Sequence, residues 1–154
     1  MDGVRIERAT PELAVDLARV KWLDSEGREP SSAELRVFTE QLVHWWTGQG
    51  RSHSAFIART GSGDAIGAAW VALVPRVPRP GHLTRLSADI QSVYVVPAFR
   101  GQGVGAALVE AACASADEDG SRRIVVHASD RALPLYRRLG FAVSERLLQR
   151  HHDI

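Results

Sequence analysis

The chain has 154 residues, of which 45% are hydrophobic and 24% charged, the balance of one folded domain with a real core and not of a disordered segment. Nineteen Lys+Arg stand against eighteen Asp+Glu, a formal net charge of +1, which removes the electrostatic basis for nucleic-acid or membrane-surface binding. A single cysteine, Cys113, excludes an internal disulfide and a cysteine-built zinc knuckle, and the longest apolar run, Ala65 to Val74, is too short to span a bilayer.

Nothing in residues 1–154 reads as an interdomain linker or a repeat, so one domain is expected. The first residues, Met-Asp-Gly-Val-Arg-Ile-Glu-Arg, lack the apolar run of a secretory signal, and a cytoplasmic protein is the expectation. Val4 to Arg8 alternates apolar and charged residues and predicts a first strand. Thr10-Pro11-Glu12 is a helix start, with a Thr cap, Pro at the first helical position and an early acid; Leu13, Leu17 and Val20 follow at helical spacing. Lys21, in that segment, is the only lysine of the chain. A second helix is predicted from Ser31 or Ser32, with Leu35, Phe38, Leu42 and Trp45 or Trp46 on one face, ended by Gly48 and Gly50.

Ser54 to Arg59 and Ala65 to Val74 predict two strands joined by the turn Thr60-Gly61-Ser62-Gly63-Asp64. A loop rich in proline and arginine follows from Pro75 to Arg85, and Asp89 to Val96 reads as a strand ended by Pro97. Helical spacing returns from Gly103 and stops at Asp117-Glu118-Asp119-Gly120. Ile124 to His127 predicts a buried strand, Arg131 to Leu139 a helix closed by Gly140, and Phe141 to Leu148 a last strand. The order describes a mixed α/β sheet.

The segment Val93-Tyr94-Val95-Val96-Pro97-Ala98-Phe99-Arg100-Gly101-Gln102-Gly103-Val104-Gly105-Ala106 carries the chemistry. A strand, a proline turn and alternating glycines open a helix whose first amides have no internal partner. Such a start suits a phosphate or pyrophosphate. Gly101-x-Gly103-x-x-Ala106 fits a dinucleotide fingerprint by spacing, but that motif follows its strand directly, whereas Pro97 to Arg100 intervene here. No Lys-Ser/Thr follows the glycines, so a P-loop is excluded.

Arg100-x-x-Gly103-x-Gly105, after a strand ending Val-Tyr-Val-x-Pro, resembles the coenzyme A pyrophosphate loop of the GNAT acetyltransferase superfamily. Ala132-Leu133-Pro134-Leu135-Tyr136-Arg137-Arg138-Leu139-Gly140-Phe141 is similar to that family's Ala-x-x-Leu-Tyr-x-x-x-Gly-Phe block. The likeness runs from about Ala88 to Phe141, and the earlier element order is similar to the family's variable N-terminal half.

The resemblance implies an α+β domain: a mixed sheet of about six or seven strands flanked by about four helices, with two splayed parallel strands, Asp89–Val96 and Ile124–His127, forming an acetyl-CoA cleft. It implies that main-chain groups of Val93 and Val95, with Tyr94 between them, meet the pantetheine arm. The amides of Gln102, Gly103, Val104, Gly105 and Ala106 then meet the pyrophosphate, beside Gly101 and with Arg100 shaping the loop or adding charge. Many members carry an asparagine seven residues before the tyrosine; Ser129 stands there, and its hydroxyl can still hydrogen-bond. Tyr136 resembles the family's tyrosine that bonds the departing sulfur.

The implied reaction is direct attack of a primary amine, of a small molecule or a protein, on acetyl-CoA through a tetrahedral intermediate, without a metal. A domain of the same fold that retains acyl-CoA without transfer, as a sensor, is the alternative reading. Asp89 occupies a place where some members carry a catalytic Glu, and an ordinary strand-end carboxylate or a water relay fits as well. Glu26 and Glu29, between the first two helices, and Arg79, His82 and His127 are candidates for the acceptor site. A homodimer is compatible with the family.

Overall fold

The computed structural model describes residues 3–152. In chain order the elements are β1 (Arg5–Arg8), α1 (Ala14–Glu26), α2 (Ser32–Gly48), β2 (His53–Arg59), β3 (Ala65–Pro75), β4 (Leu86–Val95), α3 (Val104–Glu118), β5 (Ser121–Val126) and α4 (Leu133–Arg138). The strands form one sheet in the order β1-β2-β3-β4-β5. Every neighbouring pair is antiparallel except β4–β5, which is parallel.

The first helix starts later than the sequence predicts. Pro11–Leu13 make a short 3-10 turn, and the Thr10 hydroxyl donates to the Glu12 carboxylate at 2.8 Å instead of capping a backbone amide. The second helix has a firmer start. The Ser31 hydroxyl accepts the Glu34 N–H at 3.1 Å, and the Glu34 carboxylate accepts the Ser31 N–H at 2.8 Å, a reciprocal capping box. The Arg28 guanidinium donates to both oxygens of that carboxylate. Arg28 first, and the Ser31 amide second, hold the Glu34 carboxyl down to about 2 from its ordinary 4.5.

β3 is buried along nearly its whole length because helices cover both faces of the sheet. On one face Ala69 and Val71 pack with Val104, Leu108, Val109 and Ala112 of α3. On the other, Ala68 and Trp70 pack with Leu17 and Val20 of α1 and Trp46 of α2. Gly67 marks the closest approach: a Cβ there would lie 2.8 Å from the Tyr94 carbonyl oxygen and 3.1 Å from Leu108 Cδ1. Arg59, only 8% exposed, bonds Glu7 of β1, Asp16 of α1 at 2.7 Å and the Gly63 carbonyl at 3.0 Å, so one guanidinium fastens three elements.

Five strands, not six or seven, are present among the described residues. The missing one is the last: Phe141 to Leu148 is irregular chain. The Phe141 N–H closes α4 by bonding the Tyr136 carbonyl at 3.0 Å. Ser144, Glu145 and Arg146 then interrupt any apolar–polar alternation, and the Arg146 N–H bonds the Ser144 hydroxyl at 3.2 Å in a turn. Val143, Leu147 and Leu148 are left exposed.

Candidate active site

The parallel pair β4–β5 is registered only from Leu86↔Ser121 to Ile90↔Val126, after which β5 ends and β4 continues to Val95. At the point of parting, β4 carries a bulge. Trp70 faces Ser92 and Val71 faces Ile90, which leaves Gln91 as the extra residue. A bulge bends its strand and breaks the side-to-side alternation, so the end of β4 turns away from β5.

The Val96 N–H donates to the Ile66 carbonyl at 2.8 Å, across to β3. Backbone groups alternate edges along a strand, so those of Val95 and Val93 turn to the opposite edge, towards the opening. Arg100 Nε donates to the Val95 carbonyl on that edge at 2.8 Å, and its guanidinium lies 5.3 Å from the centre of the Tyr94 ring. Arg100 thereby folds the loop back on the end of β4.

The three glycines of the loop have different reasons. Gly101 and Gly103 have φ of +73° and +85°, values that strain residues with a Cβ. Gly105 is helical, and a Cβ on it would meet Leu135 Cδ1 at 3.5 Å and Val95 Cγ2 at 3.7 Å. The bond from the Ala107 N–H to the Gly103 carbonyl, at 3.1 Å, opens the α3 ladder. The amides of Val104, Gly105 and Ala106 therefore precede the helix's internal bonding, at the positive end of its dipole, and the first turn holds no acidic side chain.

Where β4 and β5 part lies a cavity of about 250 Å3. Its walls are Lys21 and Asp24 from α1, Ile90 to Val93 from the β4 bulge, Val126 at the end of β5 with His127 to Ser129 after it, and Ala132 and Tyr136 at α4. Tyr136 also lines a second hollow of about 330 Å3 along the outer edge of β5, with Ile124, Val126 and Phe141. Its ring meets Phe141 edge-on at 5.4 Å and is 6% exposed. Burial first, and neighbouring Cys113 second, push the Tyr136 phenol above its usual value of 10, so it stays protonated at neutral pH and can donate. Burial likewise pushes the Cys113 thiol up, which keeps it neutral.

The structure therefore gathers Val93, His127, Ser129 and Tyr136 of the predicted residues around one cavity. Tyr94, Val95 and the stretch from Arg100 to Ala106 continue from its β4 wall. The other candidates stand apart from the cavity wall. Asp89 lies before the bulge, paired in register with Ala72 and Val125. Glu29 is bound by the Arg19 guanidinium, and Glu26 is exposed at the end of α1. Arg79 and His82 bond one another's backbone around the exposed turn at Gly81.

Sequence reasoning missed Lys21, Asp24, Gln91 and Ser92. Lys21 Nζ donates to Asp24 Oδ2 at 3.0 Å and to Ser92 Oγ at 3.2 Å. Gln91 Oε1 lies 3.1 Å from His53 Nε2, a bond from the bulge to β2. The one available signal was the uniqueness of Lys21 with an acid three residues on, which places both on one helix face. Among the described residues no group of three or more His, Cys, Asp or Glu is placed to hold a metal ion, and no helix is long and apolar enough to cross a membrane.

Residues 16–141 match the model of the acetyltransferase (GNAT) family. A glucosamine 6-phosphate N-acetyltransferase of Trypanosoma brucei brucei is 32% identical over 88 residues, which are 57% of this chain and 58% of that protein. The chain thus spans a little over half the length of that curated relative. Among solved structures, an acetyltransferase of Trypanosoma brucei superposes with a TM-score of 0.74 at 22% identity, covering 97% of this chain and 99% of the other. A predicted acetyltransferase of Clostridium acetobutylicum, in a crystal structure with acetyl-CoA, superposes with a TM-score of 0.70 at 21% identity, covering 96% of each chain. At those identities the likeness is one of fold.

Proposed function

The chain belongs to the acetyltransferase (GNAT) family, and from that premise we propose that it transfers the acetyl group of acetyl-CoA to a primary amine of a small molecule or protein. One observation carries the reading: the edge of β4 that β5 leaves unpaired leads, through the turn Pro97–Phe99 and Arg100, to the glycine turn and the free amides of α3. Unpaired strand groups need partners, and an extended amide-bearing arm provides them at Val93 and at the Val95 N–H, the Val95 carbonyl being held by Arg100. The amides of Val104, Gly105 and Ala106 take the diphosphate at the far end of that arm, with Gly103 and Gly101 allowing its close approach. Acetyl-CoA supplies the activated acyl group as a thioester.

The remaining chemistry falls to this chain's residues. The Val93 amide, on the open edge, is placed for the carbonyl oxygen on which charge develops. The amine nitrogen, having lost a proton to water at the cavity mouth, forms the C–N bond as the C–S bond breaks. Tyr136, protonated and part of the cavity wall, donates its proton to the departing thiolate and is reprotonated from solvent. The acceptor amine enters from the α1 side, where the cavity opens past Lys21 and Asp24.

The reading is tested by calorimetric titration with acetyl-CoA and by thiol release with a panel of primary amines, for the wild type and Tyr136→Phe. Thiol release that depends on the amine is expected. Tyr136→Phe should retain acetyl-CoA affinity within about twofold while kcat falls about a hundredfold or more, in keeping with loss of one general acid. Tight acetyl-CoA binding with no thiol release for any amine would instead leave an acyl-CoA-binding domain without transfer.

A further inference from the structure

The formal charges on the cavity wall are two: Lys21 and Asp24, one turn apart on α1. Their side chains are 38% and 33% exposed, and the ammonium and carboxylate stand 3.0 Å apart. A half-exposed pair of that spacing adds only a few tenths of a kcal/mol to a helix, so helix stability gives little reason for it. The ammonium is also tied out of its own helix, at 3.2 Å, to Ser92 Oγ beside the β4 bulge. The chain's sole lysine among nineteen basic residues is thus held at the opening between the parted strands.

Resting on the acetyltransferase reading above, we propose that Lys21 and Asp24 form an acceptor subsite for a zwitterionic amine, one bearing a carboxylate or phosphate besides its ammonium. Lys21 takes the anionic group, with Ser92 as a second donor, and Asp24 takes the ammonium, which gives up one proton to water before its nitrogen attacks the thioester. The charge balance favours this class. A ligand with one charge of each sign replaces the internal pair by two intermolecular pairs and leaves the cavity neutral. An amine with no anionic group can engage Asp24 but gives the Lys21 ammonium and the Ser92 hydroxyl nothing to hold, so it forgoes the contacts that an anionic amine gains. His127 lies on the β5 side of the same cavity, with its Nδ1 3.3 Å from Gln149 Nε2.

Three short amines of matched length separate the possibilities: ethanolamine, β-alanine and O-phosphoethanolamine, assayed by thiol release from acetyl-CoA. The wild type should use at least one anionic amine with kcat/KM at least tenfold above that of ethanolamine, and which one it is tells carboxylate from phosphate. Lys21→Met should erase that preference through KM, and Lys21→Arg should restore most of it, whereas a merely structural lysine would change kcat for all three amines alike. Equal use of ethanolamine by the wild type, or a uniform loss in Lys21→Met, overturns the subsite. Calorimetric titration of the same amines in the presence of coenzyme A separates the two readings. Binding that needs the anionic group and is lost in Lys21→Met, with no turnover, keeps the subsite and sinks acetyl transfer. No anion-dependent binding sinks the subsite alone.

Discussion

On the α3 face of the sheet, what the protein offers a ligand is backbone: amides at the start of α3, the open edge of β4, and glycines that keep side chains out of the way. On the α1–α2 face the cavity is walled by charged side chains, Lys21 with Asp24, while Arg19 with Glu29 and Arg28 with Glu34 pair outside that wall. The two faces have different tolerance for change. Backbone recognition depends on φ angles and clearances that one added side chain destroys. Exposed side-chain pairs contribute little each and can be replaced one at a time. A constant ligand part is suited to the first face and a variable one to the second.

The largest effect expected from breaking this contrast is at the loop. Gly103→Glu puts a carboxylate and a Cβ where φ is +85° and where the free amides of α3 begin. Acetyl-CoA affinity, measured by calorimetry, should fall at least a hundredfold, roughly 2.7 kcal/mol. Gly103→Ala is the control, since it carries the backbone strain of about 1 kcal/mol without the charge. Undiminished affinity in a folded Gly103→Glu protein would remove the diphosphate from this loop.

Next in size is a change beneath the site. Gly67→Val brings a branched side chain to a point 2.8 Å from the Tyr94 carbonyl oxygen and 3.1 Å from Leu108 Cδ1. The obstacle is backbone on one side and a fully buried leucine on the other, so neither yields cheaply. Overpacking of this kind costs about 2 kcal/mol, read as a lower urea midpoint with unchanged slope. A stability loss below about 1 kcal/mol would show that β3 and β4 can separate locally, and the rigid α3 face would be a wrong description.

The same contrast decides what the sequence tells. Proline at 97, glycines at 101, 103 and 105 and a regular helix after them are local chemistry, and the structure has the strand, turn and helix where the residues predict them. The two N-terminal helices follow from apolar spacing, while the parallel β4–β5 pair is what the family resemblance implies. The acceptor side is different in kind. Glu26 and Glu29 attract attention as acids between helices, yet Glu29 is bound to Arg19, a partner ten residues away. Lys21 gains its meaning only from Ser92, 71 residues on, and from a bulge that no single residue type marks. The last strand fails because Phe141 is drawn to Tyr136 and Ser144 starts a turn, both outcomes of competing contacts and not of strand propensity.

The smallest expected effect belongs to the charged face and sharpens the contrast from that side. Glu34 is ionised down to about 2 in the folded protein because Arg28 and the Ser31 amide both bond its carboxylate, while its ordinary value is 4.5. A lowered folded value means that the ionised carboxylate supports the fold above pH 4.5, and that this support is lost progressively as the pH falls from there through about 2. Glu34→Gln keeps a group that can accept the Ser31 N–H but has no charge to lose. The urea midpoint of the wild type should therefore decline more steeply between pH 5 and pH 2 than that of Glu34→Gln, with the variant slightly lower at neutral pH. Added salt should narrow the difference, since the Arg28–Glu34 pair stands in solvent. Parallel pH profiles for the two proteins would mean that the capping box alone, without its arginine, holds the start of α2. The charged face would then owe its shape to hydrogen bonds, as the backbone face does, and the distinction between them would narrow to the ligands they meet.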